Sequence, residues 1–93
     1  MSYKVVVSAQ ISRAIRRFGL PRQVLLDLFW EIHEGIGLKY DASSSVRGAD
    51  SRYAFYRIAI SDDTGQDHLF ALLLDDSTSP DHLFINNIGY GIA

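Results

Sequence analysis

Arginines are the residues of this 93-residue chain best placed to do chemistry. Arg47, Arg52 and Arg57 precede or enter a stretch rich in Tyr, Phe and Ile. A guanidinium among aromatic side chains can grip a phosphate with paired N–H donors or stack on a base. The same group can instead hold Asp50 or a backbone carbonyl, so Arg57 has a structural role open to it as well. Arg13, Arg16, Arg17 and Arg22 form the densest basic patch. On a helix the first three share a face through i+3 and i+4 spacing. That face meets either water or a polyanionic or acidic partner, and several phosphate contacts would make binding salt-dependent.

His33, His68 and His82 have no metal-ligand spacing relative to one another, and no metal site is expected. The tetrapeptide Asp-His-Leu-Phe occurs twice, at 67–70 and 81–84. Each copy follows a turn and opens an apolar run, so similar local structure accounts for the echo. Asp62-Asp63 and Asp75-Asp76 sit among turn-forming neighbours and read as turn residues before they read as paired carboxylates. No Gly-rich phosphate loop or nucleophile elbow is present, and no cofactor is implied.

These residues need elements to hold them. Tyr3 to Val7 is a short β-branched run, hence a strand. Ser8 can cap a helix whose buried stripe is Ile11, Ala14, Ile15 and Phe18, ended by Gly19. A second helix is predicted from about Pro21 to Glu34, with Val24, Leu25, Leu28, Phe29 and Ile32 buried and Trp30 covering the core from the side. Gly35 and Gly37 offer a left-handed C-cap. Residues 38–52 lack an apolar period and read as a loop. Strands follow at 53–61, 68–74 and 82–88, joined by the turns 62–65 and 75–80. The nearly unbroken apolar run from His68 to Leu74 predicts a central strand covered on both faces. The first strand is expected at a sheet edge or beside the last strand.

The chain reads as one domain, 1–93, of α+β class in the order β-α-α-β-β-β: a helical hairpin packed on one face of a small antiparallel sheet. It has no cysteine, no apolar run of about 18 residues, and too short an apolar start for a signal peptide, which together point to the cytoplasm and away from the membrane. Charge is unevenly spread. All nine Lys and Arg lie at or before Arg57, so residues 1–57 sum to 9 − 5 = +4, and residues 58–93 to −6. The total of −2 argues against a free nucleic-acid binder but allows a local basic face.

The order and length resemble the RelE/ParE superfamily of small toxins from toxin–antitoxin and plasmid-stabilisation modules. The likeness is carried by Tyr3-Lys4-Val5-Val6-Val7-Ser8 opening into a helix, by Val46-Arg47-Gly48 ahead of Tyr56-Arg57-Ile58, and by Ile88-Gly89 in the last strand. The resemblance implies neutralisation by an antitoxin whose C-terminal segment wraps across helices and sheet, with Arg13, Arg16, Arg17, Arg22 and Trp30 as the partner-binding residues. RelE-type members cleave messenger RNA on the ribosome with basic side chains and often a C-terminal Tyr. By that analogy Arg47, Arg52, Arg57 and Tyr90 are the catalytic set, provided that they cluster. The chain departs from that pattern: Tyr90-Gly91 stands where His or Lys and then Arg are expected, and Ala59 where a second arginine is usual. ParE-type members poison DNA gyrase and depend less on such cations. The resemblance therefore favours binding to gyrase or the translation machinery over RNA cleavage, with a non-toxic interaction domain as the alternative. The oligomeric state is left open, a dimer included.

Overall fold

Ser8 marks the first change of direction. Its hydroxyl accepts the Ile11 N–H at 3.2 Å, as an N-cap side chain does. The cap separates strand β1 (Lys4–Val6) from helix α1 (Ala9–Arg17). The computed structural model describes residues 3–41, the backbone of 46–47, and 53–93. Helix α1 ends at Gly19, whose φ of 67° is left-handed. Helix α2 (Arg22–Trp30) follows Pro21.

The second helical run does not stop near Glu34. It continues through a π-helical segment, Glu31–Ile36, and a last turn, α3 (Gly37–Lys39), before Tyr40 becomes extended. The glycines expected to cap it serve close packing instead. A Cβ on Gly37 would lie 2.6 Å from the Tyr3 carbonyl oxygen. The Tyr3 N–H in turn donates to the Gly37 carbonyl at 2.7 Å. Gly37 thus lets the chain entering β1 lie against the helix.

Five strands form one sheet in the order β1-β5-β4-β3-β2, with β2 at Val46–Arg47, β3 at Tyr53–Ser61, β4 at Asp67–Asp75 and β5 at His82–Ile92. Strand β1 lies at the edge and beside the last strand. The sheet is mixed rather than antiparallel, because β1 runs parallel to β5 through Lys4↔His82 to Val6↔Phe84. After the helices the chain re-enters the sheet at the far edge, β2, and three antiparallel steps through β3 and β4 bring β5 back beside β1 in the same sense. Strand β2 falls inside the segment read as a loop and pairs with Phe55 and Ala54. Strand β5 runs four residues beyond Ile88. It carries a bulge: Leu74 faces Ile85 and Leu73 faces Asn87, so Asn86 has no partner.

Burial in β4 alternates, with His68, Phe70, Leu72 and Leu74 inside and Leu69 and Ala71 outside. The expectation of a strand covered on both faces is overturned: both helices pack on one side. Helix α1 lies on β5 and α2 on β3. Ile15, Leu28, Ile32 and Ile36 meet Phe70, Leu72, Leu74 and Leu83 in a shared apolar core. Each such side chain stabilises the fold by about 1.5–3 kcal/mol through area removed from water. Trp30 takes no part in that core and is 58% exposed.

Candidate functional site

The uncovered side of the sheet carries the first candidate site. Alternation along β3 puts Phe55, Arg57 and Ala59 on this side and Ala54, Ile58 and Ile60 in the core. Register aligns Arg57 with Ala71 and Gly89, and Ala59 with Leu69 and Gly91. The four small residues Ala59, Ala71, Gly89 and Gly91 make a shallow trough of about 620 Å³. Phe55, 49% exposed, and Leu69, 42% exposed, stand at its margins. A second hollow around Phe55, Arg57 and Ala71 continues it along the strands. Arg57 is exposed and has no carboxylate partner among the described residues. Its neighbours are apolar, so among the described residues it is the one cation in this trough. Asp67, which accepts from the Ser61 hydroxyl, stands two positions before Leu69 on β4.

Tyr90 belongs to the other side. Its ring stacks on Phe18 of the α1 C-cap at 5.1 Å and on Phe70 at 5.2 Å. Its hydroxyl lies 2.7 Å from His68 Nδ1, and His68 Nε2 lies 2.8 Å from Asp62 Oδ2. An ionised carboxylate only accepts, so Nε2 carries a proton and donates to Asp62. In the neutral ring Nδ1 then accepts the Tyr90 O–H. The other Asp62 oxygen accepts from the Thr64 hydroxyl at 2.6 Å and from the backbone N–H groups of Thr64 and Gln66. The Thr64 hydroxyl, and then the His68 ring, hold the Asp62 carboxyl well below the usual carboxylate range. This chain of carboxylate, imidazole and phenol has the order of an activated-nucleophile relay. In it, both imidazole nitrogens are occupied by the fold. Its evident work is to tie the β3–β4 turn, β5 and the end of α1 together. No buried side-chain polar atom among the described residues lacks a partner.

Arg57 and Tyr90 both line the trough, but Arg57 projects to the open face while the Tyr90 ring and hydroxyl are engaged on the helix side by Phe18, Phe70 and His68. The backbone of Arg47 pairs with Ala54 in β2, while its side chain and all of Arg52 lie outside the described residues, as does Asp50. Arg13, Arg16, Arg17 and Arg22 are exposed, and none makes an ion pair among the described residues. Trp30 stands over a small hollow with Asp27, Glu31 and Ala59–Ser61, away from the core it was expected to cover. Tyr56, on the helix side of β3, has its phenol pushed up by burial and then by Glu31. Among the described residues no group of three or more His, Asp or Glu is placed to hold a metal ion. Sequence reasoning named His68 and Tyr90 separately and missed their pairing. The only available signal was their common strand parity, at a separation of 22 positions.

Comparison of this chain with protein families, with curated proteins and with solved structures finds no match. Among the described residues no helix is long and apolar enough to cross a membrane.

Proposed function

We propose that this chain is a RelE/ParE-like, toxin-type component of a toxin–antitoxin pair, and that it acts by binding a protein target rather than by cutting RNA. The observation that carries the reading is the open sheet face, apolar and, among the described residues, served by one guanidinium. The element order, with two helices between an edge strand and a meander, supports the family likeness. The separation of Arg57 from Tyr90 favours binding over catalysis. A ribonuclease must place several cations around one phosphate, at contacts of roughly 2.7–2.9 Å, and the described part of this sheet offers only Arg57 on β3 and Lys4 on the far edge strand β1. The antitoxin would be the neutralising partner, and gyrase or the ribosome the target. The six acids of the second half favour one further reading, an interaction domain of the same fold without toxicity.

Inducible expression in bacteria, with and without the reading frame adjacent to its own, separates these readings. Growth arrest relieved by the neighbour is the expected result. Messenger RNA should stay intact during the arrest, and Arg57→Ala should weaken the arrest only as far as it weakens binding of the protein partner. Unimpaired growth at good soluble yield overturns the toxin reading, and arrest abolished by Arg57→Ala together with cleaved messenger RNA overturns the non-nuclease reading.

A further inference from the structure

We infer that the trough on the open sheet face is the docking site for an extended, apolar peptide segment that carries a carboxylate, which Arg57 receives. The inference deepens the protein-binding reading and rests on it for the partner's being a protein. Three features select this occupant. The first is shape. Small-molecule sites bury most of their ligand in a closed cleft, whereas this trough is shallow and open. It follows β3 from Ala59 back to Phe55. Five residues of strand span about 16 Å at roughly 3.3 Å each, which suits a peptide of similar length laid out straight. The second is surface chemistry. Gly89, Gly91, Ala59 and Ala71 let a backbone come close, and exposed Phe55 and Leu69 offer apolar contact. The third is charge. One unpaired guanidinium in apolar surroundings matches one carboxylate, through a bidentate, charge-assisted pair. A nucleic-acid strand would bring a row of phosphates to a half-chain of net charge −6, which repels all but the phosphate at Arg57.

The trough can be filled without disturbing the fold. A Cβ on Gly91 would meet nothing within 4 Å, and one on Gly89 only the Ala71 carbonyl oxygen at 4.0 Å. Neither glycine has a left-handed backbone. Gly91→Val is thus a plug, and Arg57→Ala removes the charge alone.

The test uses the full chain, isotope-labelled, and three probes: the capped peptide Leu-Val-Glu-Leu-Phe, the same peptide with Lys for Glu, and a uridine pentanucleotide. Amide shifts are followed at Ala71, Gly89 and Gly91. The Glu peptide should shift them saturably and the Lys peptide at least about tenfold more weakly, since only the first can form the charge-assisted pair with Arg57. Arg57→Ala should weaken the Glu peptide about tenfold and Gly91→Val should abolish its effect, both with unchanged thermal midpoints. Equal binding of the two peptides, no shifts with either at millimolar concentration, or preferential binding of the pentanucleotide overturns the inference. Growth arrest without peptide binding removes the trough and spares the toxin reading. Peptide binding without arrest does the reverse.

Discussion

Tyr90→Phe deletes one oxygen and leaves the ring stacked between Phe18 and Phe70. The loss falls on His68, which is 4% exposed and has its Nδ1 satisfied by the Tyr90 hydroxyl alone in the hydrogen-bond network. An acceptor so buried costs about 1–3 kcal/mol when its partner is removed. In a domain of this size each kcal/mol lowers the thermal midpoint by about 4–8 °C, so a fall of at least about 4 °C is expected at neutral pH. Urea titration gives the free energy, with an unchanged slope showing that the denatured state is not altered. The control is the same change made in a His68→Leu background. With no imidazole to orphan, the Tyr90→Phe cost should shrink by about 0.5–3 kcal/mol, the usual coupling between groups in contact. A cost below about 0.3 kcal/mol, or an identical cost in both backgrounds, would refute the claim that this hydrogen bond holds the end of α1 and the β3–β4 turn to the sheet.

Two further stability predictions test the packing and the turn. Gly37→Ala gains about 1 kcal/mol of helix propensity but sets a methyl against the Tyr3 carbonyl; overpacking of this kind costs about 1–3 kcal/mol, so net destabilisation is expected in urea melts, whereas Gly91→Ala should stay within about 0.5 kcal/mol. The Asp62 carboxyl is lowered in the folded state, so its stabilising share is present above about pH 4 and is lost as pH falls further. Asp62→Asn should therefore lower stability at pH 7 and flatten the decline below pH 4, read as urea midpoints across pH; an unchanged acid profile would count against the hydrogen-bonded turn.

The elements with local causes were legible. Ser8 and Gly19 bracket α1 because a cap hydroxyl and a left-handed glycine act within one turn. The strand at 53–61 is legible from its aromatic and β-branched residues, and simple alternation then puts Phe55, Arg57 and Ala59 on one face. What depended on distant chain was not legible. Gly37 looks like a helix stop until the Tyr3 backbone is known to press on it. Leu69 and Leu73 look like core residues because apolar residues on an open face read the same as buried ones. The two Asp-His-Leu-Phe copies do begin strands, as their turns implied. Yet His68 and Phe70 turn inward, while His82 and Phe84 share the side opposite Leu83. The candidate site was half visible: Arg57 was named as a cation entering an aromatic stretch, but the small residues that make its trough come from three strands brought into register only by folding.

The unpaired Asn86 has a consequence for how this chain can vary. Before it, Leu83 and Ile85 face the helices; after it, Ile88 and Tyr90 do. The extra residue is a phase correction, and everything downstream inherits its sense. Insertions and deletions are usually harmless where a connection crosses the surface. Here, shortening the strand by one position would turn the chain's last stretch over, sending Ile88 and Tyr90 out to water and Gly89 and Gly91 toward the helices. Length at that point is as constrained as identity is anywhere in the interior.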